Sequence, residues 1–108
     1  MKFSVRIMPE AYNELEATAN WWAKHRSSQE ALRWYDGFIA KLESLDSPPQ
    51  SHALASENPR VSFELRELHY GLGSGSTHWA VFRVVGTTVE VLAIRHVAQA
   101  DINPSNLL

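Results

Sequence analysis

Phe3, Val5 and Ile7 alternate with Ser4 and Arg6, the two-residue period of a strand with one buried face, and Pro9 stops the pattern and suits a first helical turn. From Glu10 the period lengthens. Ala11, Leu15, Ala19 and Trp22 recur at spacings of three and four, which predicts an amphipathic helix to about His25. Ser27 followed three residues later by Glu30 is a capping-box pair, in which a hydroxyl and a carboxylate satisfy free backbone N–H groups at a helix start. A second helix therefore begins almost at once. Its apolar stripe reads Leu32, Tyr35, Phe38 or Ile39, Leu42 and Leu45, and Pro48-Pro49 ends it. Helices joined by so few residues pack as a hairpin.

Residues 46–60 are rich in Pro, Ser and Asn without a clear period and read as a surface loop. The strand pattern then returns in Val61, Phe63 and Leu65, in Trp79 to Val85 and in Thr88 to Arg95. Gly86-Thr87 is short enough for a tight turn, so the last two strands are expected to be antiparallel neighbours, and Gly71 to Thr77 allows a looser hairpin before them. The order β-α-α-β-β-β places the chain in the α+β class, with the helical hairpin covering one face of an antiparallel sheet. The other face is expected to lie partly open to water or to a partner.

Composition narrows the chemistry. At 108 residues with 44% hydrophobic positions the chain is expected to be a single domain over 1–108, with 103–108 a short tail. It has no cysteine, which removes thiolate nucleophiles, disulfides and cysteine zinc sites and fits a reducing compartment. The net charge of -2 argues against tight binding of nucleic acid through the whole surface. The N-terminal residues carry no apolar leader and no long apolar run follows, so a cytoplasmic protein without a membrane span is expected.

The opening strand, the hairpin with Trp34-Tyr35-Asp36-Gly37-Phe38, and the stretches Phe63 to Leu68, His78 to Val84 and Val89 to Gln99 together resemble the RelE/ParE family of bacterial type II toxins. The resemblance covers about residues 2–102. It implies a growth-inhibiting toxin of the kind that stabilises plasmids, held inactive by a cognate antitoxin, and it implies no cofactor. RelE-like members cut mRNA in the ribosomal A site, and ParE-like members poison DNA gyrase. RNA cleavage needs groups that deprotonate a ribose 2'-hydroxyl, stabilise the phosphorane and protonate the leaving oxygen, and that branch supplies them with Lys, Arg and a late Tyr or His. Here the corresponding positions carry Ser62, Glu64, Trp79, Ala98, Gln99 and a residue near Ser105, with no Lys after Lys41 and no Tyr after Tyr70. Gyrase inhibition is therefore favoured. The alternatives are a ribosome-dependent mRNA endoribonuclease and an inactive relative that only binds antitoxin.

The candidate residues for the nuclease alternative are Arg66, Arg83, Arg95 and His96. Three arginines on successive strands form a positive cluster only if the registers bring them to one face; otherwise each is a strand arginine paired with Glu64, Glu67 or Glu90. His69, His78 and His96 lie near strand ends, but their spacing matches no metal motif, so no metal is expected. Gly71 to Ser76 lacks the Lys-Ser/Thr ending of a phosphate loop and reads as a flexible hairpin. Trp22 and Tyr35 are expected in the core, whereas Trp21 or Trp34, at the edge of a stripe, is a candidate for a partner-binding patch. Glu10, Glu14 and Glu16 suit the positive end of the first helix and are assigned no catalysis.

Overall fold

The computed structural model of the chain describes residues 3–46, 52–55, 63–71 and 77–96. The elements are β1 (Ser4–Ile7), α1 (Pro9–His25), α2 (Ser28–Glu43), a short 3-10 turn (Ser44–Asp46), β2 (Arg66–Tyr70), β3 (His78–Val85) and β4 (Thr88–His96). Pro9 sits in the first turn of α1, and Lys24 and His25 in its last turn face the negative end of the helix dipole. Ser27 caps α2 by accepting the Glu30 N–H at 3.0 Å, as its spacing implies.

The sheet order is β1-β4-β3-β2. β2, β3 and β4 are antiparallel as expected, and Gly86, with φ at +60°, begins the two-residue turn between β3 and β4 in the left-handed region that glycine enters without strain. The expectation of a wholly antiparallel sheet needs one correction. β1 joins the β4 edge in parallel, Ser4 opposite Thr88 and Ile7 opposite Val91, because the hairpin, a 3-10 turn and two further strands separate it from β4 and return the chain in the same direction.

The second strand also begins later than the alternation over Val61 to Leu65 predicts. The Leu65 carbonyl accepts the Ala55 N–H and the Glu67 N–H reaches the Ala53 carbonyl, both at 2.9 Å. Leu65 buries its side chain beside Ala55 and Val81, and the Arg83 guanidinium lies over the Phe63 ring. These residues thus satisfy their apolar surface without continuing the ladder. Val61, Ser62, residues 72–76 and the tail, with Ala98, Gln99 and Ser105, lie outside the described residues.

The helices and the sheet enclose a core of Ala11, Leu15, Trp34, Phe38, Leu42, Leu45, Leu68, Ala80, Phe82, Val89, Val91 and Ile94. On α2 the buried positions are Ala31, Trp34, Phe38 and Leu42, one residue off the stripe that begins at Leu32 and Tyr35. Leu32 is 61% exposed and Tyr35 half-buried. Trp34 fills the centre, edge-on to Phe38 at 5.4 Å and to His78 at 5.1 Å, while Tyr35 packs against the core from its margin. The opposite sheet face is open only in part: Ala55, Leu65, Val81, Leu92 and Ala93 form a second cluster there, with Met8 and Phe63 packed on it. A bulge places Val81 opposite Ala93 and Phe82 opposite Val91, so Leu92 is the extra residue and β4 is buried on both sides from Val91 to Arg95.

Candidate functional site

Register separates the three candidate arginines. Arg66 lies opposite Phe82 and therefore faces the helix side, whereas Arg83 lies opposite Glu90 and Arg95 opposite Trp79 on the other face. Trp79 and Arg83 are four residues apart along β3, about 13 Å at 3.3 Å per residue. Each arginine is held by a carboxylate. Arg66 pairs with Glu64 at 3.0 Å and donates to the His52 carbonyl, Arg83 pairs with Glu90 at 2.7 Å, and Arg95 pairs with Glu67 at 3.5 Å. They do not converge.

What the sheet does assemble on its partly open face is a cluster that crosses three strands. Glu67, on β2, accepts His69 Nε2 at 2.5 Å on one oxygen and faces Arg95 with the other. Arg95, only 3% exposed, places its guanidinium carbon over Trp79 at 4.1 Å from the ring centroid, and His69 stacks on the same indole at 4.6 Å. The guanidinium and imidazole thus flank one buried carboxylate and share one aromatic platform, an arrangement that neutralises charge and ties β2, β3 and β4 together. Glu67, Trp79 and Arg95 belong to separate stretches of sequence, and only the strand register reveals their contact.

On the helix side His78 and His96 face one another across β3 and β4, their rings 5.0 Å apart. His78 is buried against Trp34 and Phe38, its Nδ1 2.9 Å from the Thr77 hydroxyl. Burial, reinforced by His96, lowers its pKa from 6.5 to about 4, so the ring is neutral at physiological pH. His69 sits on the opposite face, so the three sequence candidates are divided. Among the described residues no group of three or more His, Asp or Glu side chains is placed to hold a metal ion.

These two histidines form one wall of a groove of about 560 Å³ between α1 and the ends of β3 and β4. α1 contributes Glu14, Thr18, Trp21 and Trp22 to the opposite wall, and its C-cap residue, Arg26, adds to it. β1 accompanies β4 only as far as Val91, and beyond it Glu14 Oε1 accepts the Ile94 N–H at 3.2 Å, taking the place of a strand acceptor. Burial raises the Glu14 pKa, the Ile94 N–H opposes that shift, and nearby Glu10 adds to it. Sequence reading assigned Glu14 only a helix-dipole role, because its contact to Ile94 spans eighty residues of chain. Trp21 is 51% exposed and stacked on His25 at 4.7 Å, whereas Trp34 is fully buried, so of the two edge-of-stripe candidates only Trp21 lies at the surface.

The described helices include none long and apolar enough to cross a membrane. Among curated proteins none matches the chain. A solved structure described as the chromosomal ParDE TA system from P. aeruginosa superposes with a TM-score of 0.71 at 21% sequence identity, covering 88% of this chain and 96% of that one, which establishes a shared fold. The family model for the ParE toxin of the type II toxin-antitoxin system parDE matches residues 5–101. With that match spanning nearly the whole chain and the two helices laid on a four-stranded sheet, the chain belongs to the ParE toxin family of type II toxin–antitoxin systems.

Proposed function

We propose that this ParE-family chain arrests growth by inhibiting DNA gyrase through protein contact and is neutralised by a cognate antitoxin. The observation that carries this reading is the state of Arg66, Arg83 and Arg95: each is locked to a glutamate, on two different faces, and no lysine follows Lys41. Phosphodiester cleavage calls for cations positioned on the developing phosphorane and a proton donor and acceptor in reach of the same phosphate. Among the described residues Arg66, Arg83 and Arg95 serve carboxylates instead, and His96 faces the helix side with His78 rather than joining Arg83 or Arg95. Inhibition by surface contact requires no such set. Antitoxin partnership follows from membership in a toxin–antitoxin family.

Induced expression of the chain alone in a bacterial host, with pulse labelling of DNA, RNA and protein synthesis, tests the reading. DNA synthesis should stop first while translation continues. An early stop in protein synthesis would favour the endoribonuclease, and unimpaired growth would favour a relative that only binds antitoxin.

A further inference from the structure

We infer that His78 and His96 form a two-histidine site for a transition-metal ion, Zn²⁺ in the first place, where β3 begins and β4 ends. Strand register sets up the pair. His78 opens β3 and lies directly opposite His96, the last residue of β4, so both side chains leave the sheet on the helix side. Two imidazoles that bind one Zn²⁺ through nitrogen at about 2.0–2.1 Å, at a near-tetrahedral angle, have ring centroids about 5 Å apart. The two centroids here are 5.0 Å apart with the ring planes at 83°, a separation that one ion spans. No sequence motif announces the site, because the pairing of the strands makes it.

The surroundings supply what such a pair needs. His78 Nδ1 lies 2.9 Å from the Thr77 hydroxyl; with Nδ1–H donating there, Nε2 keeps its lone pair. Thr77 is then the outer partner that fixes the tautomer and ring angle of a ligating histidine. Trp34, edge-on at 5.1 Å, and Phe38 pack against the same ring and hold it in place. Both histidines line the groove along α1, which gives water room to complete the coordination sphere.

Charge and donor type select the ion. Glu14 lines the facing wall and its carboxylate touches β4 at Ile94, on the same strand as His96, so negative charge stands beside the pair. Arg26, the cation on that wall, is held over the Trp22 ring at 5.9 Å. Imidazole suits Zn²⁺, Ni²⁺ and Cu²⁺, whereas Mg²⁺ and Ca²⁺ take oxygen ligands. Bound there, the ion ties the end of β4 to β3 beyond Val91, where β1 no longer accompanies it.

Titration calorimetry of the purified full chain with ZnCl₂, together with thermal melts, tests the site. The parent should bind one Zn²⁺ per chain, melt at a higher temperature when loaded, and return to its metal-free melt on addition of EDTA. His96→Ala, at an exposed position, His78→Gln and Thr77→Val should each weaken binding by about tenfold or more. His69→Ala, on the other face of the sheet, should bind as the parent does. Circular dichroism verifies that each variant is folded, and His96→Ala decides the matter if burial makes His78→Gln unstable. In the ¹⁵N-labelled chain, zinc should shift the ring nitrogens of His78 and His96 and leave those of His25, His52 and His69 in place. Absence of heat and of any melting shift in excess Zn²⁺ overturns the inference. So does zinc binding that stays within about twofold of the parent in His96→Ala, which marks an adventitious ion only.

Discussion

Arg95 carries a full charge at 3% exposure, and its position between the Trp79 face and the Glu67 carboxylate is what makes that burial tolerable. Removing it leaves Glu67 with a weaker set of partners in a buried position. Arg95→Ala is therefore expected to destabilise the fold by about 3 kcal/mol, whereas Arg66→Ala, which breaks a pair with a largely exposed Glu64, should cost under about 1 kcal/mol. Urea unfolding of both variants decides the matter, and equal small losses would contradict a structural role for the Glu67 cluster. His78 makes a prediction in pH. Its folded pKa of about 4 lies below the unfolded value near 6.5, so the unfolded chain binds the extra proton between those values. Its contribution is complete above pH 6.5 and is lost as pH falls toward 4, a difference on the order of 3 kcal/mol. His78→Gln should flatten the stability profile over that window. An unchanged slope would mean that the ring does not titrate as its burial implies.

The ends of α1, the cap of α2 and the β3–β4 turn were legible in the sequence because each depends on neighbours a few residues away: Pro9, Ser27 with Glu30, and Gly86. What was illegible depends on register and on distant packing. Periodicity fits two adjacent stripes on α2, and the choice of Trp34 over Tyr35 is made by Phe38 and His78, one of them on another element. The start of β2 is set by Ala53 and Ala55, which lie in a stretch that reads as loop. The Glu67 cluster and the Glu14–Ile94 bond share the same origin in contacts across elements. The contact between α2 and β2 offers a test at this scale. A Cβ at Gly37 would collide with the Tyr70 hydroxyl, which itself donates to the Trp34 carbonyl at 3.1 Å while its ring stacks on Phe38 at 4.5 Å. Alanine has the better helix propensity by about 1 kcal/mol, yet Gly37→Ala is expected to lower stability because the stacked ring must move. Tyr70→Phe should recover part of that loss in the double variant, as thermal melts of the four combinations will reveal. A stabilising Gly37→Ala would contradict the tight approach of α2 to β2.

At the scale of the molecule, the two faces of the sheet have separate roles. The helix side buries the main core and opens at one end into the groove along α1, while the other side holds a small apolar cluster and a closed network of Glu67, His69, Trp79 and Arg95. Membership in the ParE family follows from a match over residues 5–101, and the order of elements behind it was readable from periodicity alone. The proposed target rests on subtraction: the missing late lysines disfavour cleavage, and Arg66, Arg83 and Arg95 are held by glutamates on two faces. An inhibitor that works by contact must act on purified gyrase without ribosomes or any cofactor. The most direct measurement is thus DNA supercoiling by purified gyrase with increasing amounts of the toxin, alone and after addition of the protein encoded beside it. Loss of supercoiling with the toxin, restored by its neighbour, is the predicted result; full supercoiling in a large excess of folded toxin would contradict the account.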